Sequence, residues 1–78
     1  MQGLYDCEED VFQSIDTEES ELKKVTTDLF LKWRNGDICG FFIQNFKKHN
    51  LDMVSKLFPE FNFKAAKETL SKNTVIKA

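Results

Sequence analysis

The sequence predicts an all-α domain, a compact bundle of four to five short helices, and three observations carry that expectation. Leu22, Val25, Leu29 and Trp33 recur at intervals of three, four and four, the period of one helix face. Asp6 with Glu9, and Asp16 with Glu19, have the spacing of a capping box, where side chains at the N-cap and three residues on accept from exposed backbone N–H groups. Seventy-eight residues, 41% hydrophobic and 31% charged, suffice for one small core, with eight Phe, one Tyr and one Trp concentrating the burial in bulky rings.

Residues 1–16 read as an acidic N-terminal arm, in which Cys7, Val11 and Ile15 support a short helix over about 7–14. A longer helix over about 17–34 takes the Leu22–Trp33 face; Lys32 and Arg34 suit its last turn, where the dipole favours cations, and Asn35-Gly36 supplies a left-handed stop. The same Asn-Gly pair, between Leu29/Leu31/Trp33 and the apolar run 38–43, is also a hairpin signal, so an α+β fold with a hairpin at Asn35-Gly36 is the alternative. The helix takes precedence because a hairpin leaves Leu22 and Val25 without a role. Asp37 then caps a central helix over about 38–49, in which Gly40 marks a close helix crossing at a cost of about 1 kcal/mol relative to Ala. Asn50 caps a short helix carrying Leu51, Val54, Leu57 and Phe58, which Pro59 ends. Asn62 opens the last helix, Phe61 and Ala66 staple its start, and its apolar face runs on through Leu70 towards Asn73. Residues 17–73 are thus the helical domain and 74–78 a frayed tail. The expected core is Leu22, Val25, Leu29, Trp33, Ile38, Phe42, Phe46, Val54, Phe58, Phe63 and Leu70.

The net charge of −2 conceals a segregation: residues 1–22 hold eight acids and no Lys or Arg, whereas residues 23–78 hold eleven bases and five acids. Such an asymmetry bears on partners. It casts residues 1–16 as a detachable docking element for a basic protein, with Tyr5 and Phe12 interleaved among carboxylates. Leu31 and Phe41 lie off the main helix faces and, with Phe58 and Pro59, complete the partner-binding candidates.

No catalytic or cofactor chemistry is assembled in the sequence. His49 is the single histidine, Cys7 and Cys39 stand far apart, and the three glycines form no phosphate-binding loop, so neither a metal, a nucleotide cofactor nor a nucleophile–base pair is expected. The thiols are expected to be reduced. No apolar run reaches the roughly 18 residues of a membrane span, and Met1–Asp10 lacks the features of a secretory leader, which points to a soluble cytoplasmic protein.

Leu57-Phe58-Pro59 resembles the Met/Leu-Phe-Pro motif that ends the first helix of CUE-type ubiquitin-binding domains, with Ala66 and Leu70 where that family has apolar residues of its second helix. The resemblance covers residues 51–70 and implies that Phe58 and Pro59 touch ubiquitin while Leu70 lies nearer the core. The family continues into a third helix ending in paired leucines, where this chain has Val75-Ile76-Lys77-Ala78.

The expected function is that of a non-enzymatic protein-interaction module, an adaptor or inhibitor, acting as a monomer or homodimer. The alternative is a helix-turn-helix-like nucleic-acid-binding regulator, formed by the helices on either side of Pro59–Asn62, with Lys64, Lys67, Lys72 and Lys77 on phosphates and Lys47, Lys48 and Lys56 flanking them. The single arginine, and the lack of Asn or Gln early in the last helix for reading bases, favour the protein partner.

Overall fold

In the computed structural model, which describes residues 1–16 and 18–77, strand alternation rather than helical period governs the first half of the chain. Thr17, expected to open the long helix, and Ala78, in the expected tail, lie outside the described residues. Six strands form one antiparallel sheet: β1 (Gln2–Asp6), β2 (Val11–Ile15), β3 (Glu21–Lys24), β4 (Leu29–Arg34), β5 (Asp37–Ile43) and β6 (Thr74–Lys77), in the spatial order β3-β4-β5-β2-β1-β6. A 3-10 turn, Phe46–Lys48, and two short helices, α1 (Asp52–Leu57) and α2 (Phe63–Thr69), connect β5 to β6. The all-α bundle is therefore corrected to a sheet-dominated fold, closer to the α+β alternative. No helix among the described residues is long and apolar enough to cross a membrane.

The hairpin reading of Asn35-Gly36 is realised. Both residues take positive φ, 53° and 82°, as the tight hairpin turn between β4 and β5 requires. Leu29 and Leu31 alternate into the core, whereas Phe30 and Lys32 point to the opposite face. The helical spacing that joined Leu22, Val25, Leu29 and Trp33 has no counterpart: Leu22 and Val25 are exposed, on β3 and the turn after it, and Trp33 is half-buried. Ile38 is likewise exposed and Phe42 half-buried, so neither joins the core as expected.

The acidic segment is built into the sheet. β1 pairs with β2 on one side and β6 on the other, and Phe12 of β2 is completely buried. The Asp6/Glu9 spacing does form its local hydrogen bonds, since Asp6 Oδ1 accepts from the N–H groups of Glu8 (3.0 Å) and Glu9 (3.3 Å). They close the turn between β1 and β2 instead of starting a helix, because an Asx side chain offers the same acceptor to either conformation. Residues 74–77, expected as a tail, form edge strand β6.

The helical layer covers one face of the sheet. Phe12 and Phe41 project from neighbouring strands into it; Phe12 lies 5.0–5.9 Å, centroid to centroid, from Phe46, Phe61 and Phe63, and Phe41 lies 5.0–5.5 Å from Phe58, Phe61 and Phe63. Edge-to-face geometry dominates these pairs, the arrangement aromatic quadrupoles favour. Asn50 Oδ1 accepts from Asp52 N–H at 2.9 Å as α1 begins, and Asn62 Oδ1 accepts from Ala65 N–H at 3.1 Å as α2 begins. Where the CUE resemblance implies a third helix the chain forms β6, and Phe58 packs against Phe41 instead of reaching the surface.

Candidate surfaces for binding

Most residues singled out for partner binding are interior. Tyr5, Phe12, Leu31, Phe41 and Phe58 belong to the buried cluster, leaving Pro59 exposed. Tyr5 has a local structural role: its hydroxyl donates to Asp10 Oδ1 at 2.7 Å, while Asp10 also accepts from the backbone N–H of Lys47 at 3.1 Å. The Asp10 carbonyl accepts from Phe46 N–H at 2.9 Å, so the β1–β2 turn is tied to the 3-10 turn. Burial, then the hydrogen bond and charge of Asp10, push the Tyr5 phenol up to about 12.

The side of the sheet away from the helices carries the surface that sequence patterning missed. Cross-strand partners share a face, and the register sets Val75, Leu4, Gln13, Phe42, Phe30 and Lys24 in one row across all six strands. Phe30 and Phe42 meet edge-on with centroids 6.0 Å apart. Ile15, Leu22 and Val75 are 41%, 50% and 53% exposed. Among the described residues no helix packs on this row. A sequence signal existed in the apolar run 38–43, because a strand covered on one side should alternate with polar residues.

The end of this face is closed by a polar crossing. The chain leaves β2 and passes β5 and β4 to reach β3, and Lys32 reaches it by lying over Gly40. Lys32 Nζ donates to the Ser14 carbonyl at 2.7 Å and pairs with Asp16 at 3.0 Å, with both side chains largely buried. Arg34 donates to the carbonyls of Glu18 (3.1 Å) and Glu19 (3.2 Å). Beneath the crossing, Ser14 Oγ accepts from Phe41 N–H at 3.0 Å and bridges β2 to β5 beyond their last paired residues. A Cβ on Gly40 would fall on that hydroxyl.

The lysines assigned to phosphate contact divide between sites. Lys64 and Lys67 on α2 converge with Lys47 and Lys48 on a cleft of about 660 Å³, which His49 also lines. Lys72 lies in the turn before β6 and Lys77 on β6, outside that cleft. Lys47 Nζ donates to the Lys67 carbonyl at 2.6 Å, and Lys67 Nζ to the His49 carbonyl at 3.2 Å. Cys7 and Cys39 are free thiols, and among the described residues no three His, Cys, Asp or Glu side chains converge as metal ligands. Neither a family model, nor a curated protein, nor a solved structure matches this chain.

Proposed function

We propose that the chain is a small non-catalytic, cytoplasmic protein-interaction module, and that its contact surface is the uncovered face of the sheet. The observation carrying this reading is the row Val75–Leu4–Gln13–Phe42–Phe30–Lys24, apolar at four of its six positions and with no helix over it among the described residues. Leu4, Phe30 and Phe42 are half-buried and Val75 exposed, and a partly exposed apolar surface centred on aromatic rings is characteristic of protein interfaces. The partner is a protein with an apolar centre and basic groups at the rim. Asp6 shares the face by register, Glu8 and Glu9 are exposed in the adjoining turn, and Glu18 lies beside Leu4 and Ile15. The basic rim complements these acids.

Less supports the nucleic-acid alternative. α1 and α2 are six and seven residues long, and Lys72 and Lys77 do not extend the cleft of Lys64 and Lys67 into a continuous track.

A photoreactive phenylalanine analogue placed at position 42, with one at Met53 on the exposed side of α1 as control, tests the proposal in cells that make the protein. The expected result is a discrete adduct with a different protein from position 42, absent from position 53 and diminished by Glu8→Gln with Glu9→Gln. Equal labelling at both positions, or an adduct consisting of two copies of this chain, refutes it.

A further inference from the structure

We infer that the cleft between the 3-10 turn and α2 is a binding site for a small phosphate-bearing ligand, a free polyphosphate or a phosphate monoester. Lys47, Lys48, His49, Lys64 and Lys67 converge there, opposed by Asp52 and Glu68. Asp52 pairs with Lys64 at 3.7 Å, whereas Lys47, Lys48 and Lys67 make no ion pair with a carboxylate among the described residues. The cleft therefore keeps an excess of positive charge.

Two of these ammonium groups are held in place. Lys47 Nζ is fixed on the carbonyl of Lys67, and Lys67 Nζ on the carbonyl of His49, which links the 3-10 turn to α2 reciprocally. Both lysines are half-buried, and the Lys47 ammonium also lies 5.8 Å from the centre of the Tyr5 ring. An ammonium carries three N–H donors, so each retains two after its carbonyl contact. A pair of tethered, uncompensated ammonium groups is pre-organised for an oxyanion with several acceptor oxygens, and charge-assisted hydrogen bonds to such oxygens are the strong ones.

The shape selects a small ligand over a polymer. A volume of about 660 Å³ falls within the roughly 300–1,000 Å³ of small-molecule sites. Lys56, Lys72 and Lys77 do not line the cleft, and no Phe, Tyr or Trp does, so it lacks both a charged track and the stacking platform on which single-stranded bases are held.

Calorimetric and NMR titrations of the intact protein with pyrophosphate, inorganic phosphate and a nucleoside monophosphate, at an ionic strength of about 0.15 M, provide the test. Saturable one-to-one binding is expected, with the amide signals of residues 47–49 and 64–68 shifting most. Saturation by pyrophosphate alone identifies a free polyphosphate, and saturation by the monophosphate identifies a monoester. Lys47→Gln and Lys67→Gln should each weaken binding by about tenfold or more, the loss of one charge-assisted hydrogen bond, while Lys56→Gln and Lys72→Gln leave it unchanged. The wild-type titration stands even if a variant fails to fold. Absence of saturation up to about 10 mM of all three ligands, or equal weakening by Lys72→Gln, overturns the proposal. So does binding seen only with oligonucleotides, growing with their length and falling steeply with salt, which marks a polyanion surface.

Discussion

Gly40→Ala should destabilise the protein, although its backbone is not among those with positive φ. At a site whose backbone suits any residue, Gly→Ala stabilises by about 0.4–1 kcal/mol by restricting the unfolded chain. Here the added methyl falls on Ser14 Oγ and also lies 3.1 Å from Lys32 Cδ. Ser14 is 1% exposed, and its hydroxyl is held on the Phe41 N–H. If its side chain turns aside, the buried Phe41 N–H loses its acceptor, at about 1–3 kcal/mol. If instead β2 and β5 move apart, the overpacking costs a similar 1–3 kcal/mol or so. A net loss of about 1–3 kcal/mol is expected, a large share of the roughly 4–12 kcal/mol available to a domain of this length. Urea unfolding followed through Trp33, the single tryptophan, and through circular dichroism measures it. A double-mutant cycle isolates the cause: Ser14→Ala removes the hydroxyl, so adding Gly40→Ala in that background should cost at least about 1 kcal/mol less than in the wild type. A neutral or stabilising Gly40→Ala, or one equally costly in both backgrounds, would falsify the reasoning.

Phe12→Ala should cost about 3–5 kcal/mol because its ring sits at the centre of the aromatic cluster, whereas Phe42→Ala on the open face should cost less than half as much; equal losses in urea unfolding would contradict the assignment of faces. Deleting residues 1–16 removes β1, β2 and the Phe12 ring, so residues 17–78 should show neither a cooperative melt nor dispersed amide signals. The single tyrosine should titrate near pH 12 by its phenolate absorbance, and Asp10→Asn should move that midpoint down towards 10. Because folding raises this pKa, the associated stability is complete below pH 10 and lost as pH rises from 10 to about 12, where the unfolded chain ionises first. A midpoint near 10 in the folded protein would remove Tyr5 from its buried contact with Asp10.

How the sequence specifies this fold was only partly legible. The break at Pro59 and the Asn62 cap were readable because each acts through local backbone chemistry; Asn35-Gly36 carried its hairpin signal too, but only as the alternative to the preferred helix stop. The strands were harder, since β4 and β5 place apolar rings on both faces: Phe30 and Phe42 fill positions where alternation calls for polar residues, and the run then mimics a buried helix. Leu22 and Val25 completed a false helix face by coincidence of spacing. Gly40 reads in the sequence as a close helix crossing, whereas it lies on β5 and the approaching group is a serine hydroxyl from β2, a neighbour that only the tertiary fold supplies. The open face was hidden for the same reason that the core was misassigned, because a side chain's face depends on strand register. The lysines of the cleft could be singled out by charge, but the separation of Lys64 and Lys67 from Lys72 and Lys77 requires knowing that the chain turns into β6 after α2.

The position of β1 has a consequence for the order of assembly. β1 lies between β2, its sequence neighbour, and β6, formed by residues 74–77, so Gln2 pairs with Lys77. The β1–β2 and β4–β5 hairpins need only short loops, but β6 reaches β1 only after the 3-10 turn, α1 and α2 have spanned the sheet. Closing so long a segment makes this the entropically costly step of folding. On a ribosome, β1 would emerge first and wait for its second neighbour until nearly the whole described chain had followed. During that interval its free backbone edge is open to intermolecular pairing, and β6, although short and peripheral in the finished sheet, ends that exposure.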